Sequence, residues 1–150
     1  MEKYYSNEIP EMFENLGAKR KLNYNIRELT EEEIKSLWGS EHYDEDYYEW
    51  FADSHRYSYN SVEIGVAQWT YDGIVNAIIR DKYSIDAMEA ITNNMAAINA
   101  VFMQTLVTDG IVAATKYLKD SINDENTANF KEMQEWRAMA KKIASEIIKQ

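Results

Sequence analysis

Residues 130–148 read FKEMQEWRAMAKKIASEII, and the reading of this stretch decides the fold. Phe130, Met133, Trp136, Ala140, Ile143 and Ile147 recur three or four apart, so they share one side of an α-helix. Lys131, Glu132, Glu135, Arg137, Lys141, Lys142 and Glu146 fill the other side, a face for water. A stripe of this kind has to be covered, by the chain's own core or by another chain. On the second alternative Met133, Trp136, Ala140 and Ile143 are candidate partner-binding residues, and Trp136 anchors them because a buried indole contributes so much contact area.

Working back from this helix, the pattern stays helical to about residue 70. The polar run Asn123-Asp124-Glu125-Asn126 separates it from an amphipathic piece over Ile111–Ile122. Gly110 ends the segment before that, in which Ser84 is a cap and Ile85, Met88, Ile91 and Met95 share a face that continues through Ile98, Val101, Phe102 and Leu106. Asn93-Asn94 offers a break within it. Thr70 caps a further helix with Ile74, Val75, Ile78 and Ile79 along one side.

The first third reads differently. Leu22, Tyr24 and Ile26 alternate with Lys21, Asn23, Asn25 and Arg27, the pattern of a half-buried strand. Thr30 followed by Glu33 is a capping box opening a short helix that carries Ile34, Leu37 and Trp38 and stops at Gly39. Residues 7–16 allow a short helix capped by Ser6 or Asn7, with Ile9, Met12, Phe13 and Leu16 inward. Tyr47–Ala52 and Arg56–Ile64 read as a strand pair turning near Asp53–His55, since aromatic residues suit pleated surfaces. The expected fold is therefore α+β, mainly α. A helical bundle over residues 70–149 follows a small antiparallel element and short helices in the N-terminal third. The expectation is one domain over residues 1–150, with an acidic, aromatic-rich region at 1–65 and a helical region at 66–150.

Composition narrows the functions. The chain has 150 residues, 45% apolar and 13% aromatic, enough to build a core. No apolar run reaches the roughly 18–20 residues that span a bilayer, and the N-terminus lacks the apolar region of a secretory signal, so no membrane partner is expected. The absence of cysteine removes disulfides, thiol nucleophiles and thiolate metal sites. A net charge of −10 opposes direct nucleic-acid binding and leaves basic protein surfaces as partners. The acid is concentrated in residues 1–60, where fourteen acidic side chains face seven basic ones.

The stretch QWTYDGIVNAIIRDKYSIDAMEAITNN (residues 68–94), followed by FKEMQEWRAMAK (residues 130–141), resembles a pattern in small proteins of tailed bacteriophages and prophages, mostly those of gut Bacteroides-type hosts. The resemblance covers the second half of the chain and brings no catalytic motif with it. It implies a phage gene product, a structural or accessory part of the virion in the tail, neck or capsid-associated assembly, made in the host cytoplasm. Its partners would be other phage structural proteins or further copies of itself. In many of those relatives the spacer is short, whereas residues 95–125 here insert an extra helical segment.

Chemical constellations are sparse. His42, Asp44 and Asp46 offer one nitrogen and two carboxylates, but without the glycine turn or twelfth-position glutamate of a calcium loop, or a second nearby histidine for zinc, they read as a solvated acidic loop. His55, with Asp53 or Glu49 as orienter, reads as an exposed turn histidine. No phosphate-loop, nucleophile-elbow or zinc-protease motif occurs, so no enzyme activity and no cofactor are expected. Better candidates are Tyr43, Tyr47, Tyr48, Trp50 and Phe51. These aromatic residues sit among carboxylates that would steer a basic partner, or are partly core themselves. The reading that results is a virion protein acting by protein–protein contact. The alternative is a small acidic phage-encoded inhibitor that mimics DNA toward a host defence protein, through Glu28–Glu33 and Glu41–Asp53.

Overall fold

The computed structural model describes residues 1–39, 45–122 and 124–149. In chain order its elements are β1 (Tyr4–Ser6), β2 (Phe13–Asn15), β3 (Lys19–Glu28), α1 (Glu31–Trp38), α2 (Glu45–Ser54), β4 (Tyr57–Gly65), a 3-10 turn (Val66–Gln68), α3 (Tyr71–Lys82), α4 (Ile85–Asp109), α5 (Ile111–Ser121) and α6 (Glu125–Ile148). This is a predominantly helical α+β fold, with the strands and short helices preceding the long helices. The residues group into two compact units, Met1–Ala77 and Ile78–Gln150, and the boundary falls inside α3.

In the first unit the sheet is antiparallel throughout, in the order β1-β4-β3-β2. In β3 Leu22 and Tyr24 are buried, paired with Val62 and Asn60 of β4. Asn23 between them is buried too rather than turned to water, its amide donating to the Glu11 carbonyl and the Glu14 carboxylate. The register then slips between Tyr24 and Arg27, where Asn25 adopts φ 53°, a left-handed conformation that asparagine tolerates better than most residues and that suits a bulge. The capping box is present in full: the Thr30 hydroxyl accepts from the Glu33 amide while the Glu33 carboxylate accepts from the Thr30 amide.

Two expectations for this unit are corrected. Residues 7–16 form no helix; β1 pairs with β4 and β2 with β3 as short edge strands, and Ile9, Met12, Phe13 and Leu16 are exposed rather than inward. Pairing with the already formed β3–β4 ribbon satisfies backbone groups that a single helical turn would leave open. Tyr47–Ala52 is helix, not strand. Tyr48, Phe51 and His55 are spaced three and four apart and share a half-buried face, with the Trp38 ring 4.9 Å from Phe51 and 6.0 Å from Tyr48. Helical spacing here outweighs the strand preference of aromatic residues, which is weak and set by context.

In the second unit α5 and α6 both pack on α4. Ser84 caps α4 through its hydroxyl, and α4 runs unbroken past Asn93-Asn94. It ends at Gly110, whose φ of +84° stops the helix and starts α5. The start of α3 belongs to the first unit, and there the Thr70 hydroxyl accepts from the Gly73 amide. A Cβ at Gly73 would sit 1.8 Å from the Gln68 carbonyl oxygen, so this helical turn admits only glycine. Ile74, Val75, Ile78 and Ile79 are buried, as their spacing predicts.

Candidate functional site

The stripe on α6 is turned inward. Met133, Ala140, Ala144 and Ile147 are buried, and Phe130, Trp136 and Ile143 are half-buried. The centre of the stripe thus runs through Ala144 rather than Ile143. Met133 and Ala140 expose nothing, so on this arrangement they hold α6 in place and offer no surface to a partner. The charged face is as read: all seven of its Lys, Arg and Glu side chains are exposed.

Trp136 is fixed by two contacts within the unit, and an ion pair to α6 holds one of the partners. Its indole Nε1–H donates to the Ile78 carbonyl at 3.0 Å, the Lys82 ammonium lies 4.7 Å from its ring centre, and Lys82 pairs with Glu132 one turn earlier on α6. Burial alone would lower the Lys82 pKa, but the Glu132 carboxylate and the neighbouring Tyr83 outweigh it, and the ammonium is held above its ordinary value. Residues 68–94 and 130–141, quoted separately above, therefore meet at these contacts, Ile78 and Lys82 on one side and Glu132 and Trp136 on the other.

The aromatic set on α2 divides in two. Tyr48 and Phe51 pack toward Trp38, while Tyr47 and Trp50 are 64% and 69% exposed. Tyr43 lies outside the described residues, as do His42 and Asp44 of the acidic loop. An open groove of about 640 Å³ runs beside this helix, lined by Ile34, Tyr48, Trp50, Asp53 and Arg56 among others. His55 closes the helix end: its Nδ1 lies 2.9 Å from both the Phe51 carbonyl and the Ser54 hydroxyl, and its ring stacks on Phe51 at 3.9 Å. Those contacts occupy Nδ1 and the serine in capping, so the pair does not resemble a base and its nucleophile.

The acidic cluster at Glu28–Glu33 is partly neutralised from within. Arg27 pairs with Glu33 at 2.8 Å and Lys35 with Glu31 at 2.7 Å. The Arg27 guanidinium first, and the Thr30 amide second, pull Glu33 down to about 2. Among the described residues no group of three or more His, Asp or Glu side chains is arranged to hold a metal ion.

Most of the large apolar side chains exposed in the second unit lie on the α4–α5 hairpin. No residue of α4 is buried, although it is the most apolar long helix of the chain. Val107 and Val112 are 82% exposed, Ile111 71% and Met103 55%, clustered on either side of the Gly110 turn. Residues 90–108 contain no charged side chain, in a chain that is 28% charged. That gap was the available signal: an outward helix face kept for water carries Lys, Arg and Glu, as α6 does. Comparison with family models, with curated proteins and with solved structures returns no match to this chain.

Proposed function

We propose that this chain is a contact protein, a structural or accessory component of a tailed-phage virion that works by covering the α4–α5 hairpin with other protein. The observation that carries the reading is the exposure of Val107, Ile111 and Val112 on a hairpin whose long helix has no fully buried residue. Two further points support it. The phage-like runs supply the inner scaffold through Trp136 and Lys82, while the inserted segment 95–125 supplies most of the large apolar side chains exposed in the second unit. A segment added to a scaffold and left uncovered is placed to meet a partner. Among the described residues no helix is long and apolar enough to cross a membrane.

The mechanism is burial. Each valine or isoleucine removed from water contributes about 1.5–3 kcal/mol, so a few such side chains account for a micromolar contact before ordering costs. Mass spectrometry of purified particles tests the role. The chain should be present at fixed stoichiometry, and a folded Val107→Lys/Val112→Lys variant should be missing from particles. A chain absent from particles altogether, or a double variant incorporated as well as the parent, would overturn the reading.

A further inference from the structure

α4 has two seams of the same period. Met88, Ile91, Met95, Ile98, Phe102 and Thr105 recur at intervals of three and four and are half-buried, on the side where α5 and α6 pack. Ala90, Asn93, Ala97, Ala100, Gln104 and Val107 recur at the same intervals on the outward side, and all six are exposed. A strict alternation of three and four is the spacing that keeps a seam facing a partner helix along its length.

We propose that the outward seam is occupied by the α4 helix of a second copy of this chain, lying antiparallel about the point midway between Ala97 and Ala100. This inference deepens the contact reading above and rests on it, by naming one occupant of the same surface. Three observations select that occupant. First, the seam reads alike in both directions from its midpoint: Ala97 and Ala100, then the amides Asn93 and Gln104, then Ala90 and Val107. A two-fold contact requires such self-complementarity, because each residue must meet its counterpart from the opposite direction. Antiparallel pairing about that midpoint brings Asn93 of one copy level with Gln104 of the other, where the two amides can bond. It also brings Ile85 level with the turn that exposes Ile111.

Second, the charge distribution leaves this region as the natural meeting place. Two chains of net charge −10 repel, and residues 90–108 are the longest stretch through which they can approach without opposing carboxylates. Third, orientation follows from the ends of the helix. Parallel pairing would set Asp86 and Glu89 beside their own copies, whereas antiparallel pairing sends them to opposite ends and aligns the helix dipoles favourably. The alanines at the midpoint allow the two axes to approach to about 8 Å, the near limit of helix packing.

The absence of cysteine makes single thiols unambiguous. About the proposed axis, two Ala100→Cys thiols are offset by only about 4–5 Å along the helices, while two Val107→Cys thiols lie about 25 Å apart at 1.5 Å rise per residue. Mild oxidation of the full-length A100C protein should give a covalent dimer and that of V107C should not. In sedimentation velocity the parent chain should double its mass as concentration rises, and Ala100→Glu, which sets two carboxylates at the axis, should weaken the dimer roughly 100-fold while keeping its helical circular dichroism. A parent that stays monomeric at every concentration, an A100E dimer of unchanged affinity, or V107C cross-linking as readily as A100C would each overturn the proposal. A monomeric chain that still enters particles removes only the self-pairing. A dimer that is missing from particles upholds the pairing and removes the virion role.

Discussion

α4 and α6 are nearly equal in length, 25 and 24 residues, and belong to the same compact unit, yet they present opposite surfaces. α6 buries Met133, Ala140, Ala144 and Ile147 and turns mixed charge outward. α4 buries no residue and turns Ala, Asn, Met and Val outward. The clean heptad is the one the chain covers for itself. A stripe that is easy to see, flanked by charge, already has a wet side and therefore an inside. The helix with unfinished business is the one whose outward side does not look like a surface.

The largest effects should come from the covered helix. Met133→Ala should lower stability by about 2–5 kcal/mol in a denaturant titration, because the site is closed on all sides. A value under about 0.5 kcal/mol, ordinary for surface sites, would put α6 on the same footing as α4 and break the contrast. Trp136→Phe keeps most of the ring and loses the bond to the Ile78 carbonyl, so it should cost about 1 kcal/mol.

The uncovered helix should respond in the other direction. Val107→Lys should leave the stability of the dilute chain within about 0.5 kcal/mol of the parent, and the same denaturant titration measures it. Added salt should strengthen self-association by screening the −10 charge. A contact made through the acidic clusters with a basic partner would instead weaken with salt, which separates the contact reading from DNA mimicry. The smallest effect should be on pH. The Lys82 pKa is raised in the fold, so its bond to Glu132 stabilises fully below the ordinary lysine value of 10.5 and is lost as pH rises through the raised value. Lys82→Met should flatten the alkaline limb of the stability profile. The acid limb should instead respond to Glu33→Gln. Glu33 is depressed to about 2 from an ordinary 4.5, so its contribution is present above 4.5 and fades as pH falls toward 2.

Much of the fold was legible because local chemistry and the final structure agree. Thr30 with Glu33, Thr70, Ser84 and Gly110 set the ends of helices where their side chains or backbone angles satisfy groups that a helix leaves open. What was not legible depended on partners distant in sequence. Residues 4–6 and 13–15 become strands only because β4 and β3 stand beside them. The aromatic run after Glu45 becomes a helix because Trp38 receives Tyr48 and Phe51. The hydrogen bond from Trp136 to the Ile78 carbonyl joins residues 58 apart and leaves no local trace. Of the candidate site residues, Met133 and Ala140 are placed inside and Trp136, Ile143, Tyr48 and Phe51 partly so, leaving Tyr47 and Trp50 at the surface. The hairpin surface was present in the sequence as a missing pattern, the absence of charge from 90 to 108, which a search for positive motifs does not register.

Methionine oxidation compares the two helices in one experiment. Met103 on α4 is 55% exposed and Met133 on α6 is fully buried, so in the dilute chain a radical pulse should oxidise Met103 readily and Met133 barely. In the particle-bound protein Met103 should become as slow as Met133. If Met103 stays as reactive there as in the dilute chain, the hairpin is not covered by protein and the account is contradicted.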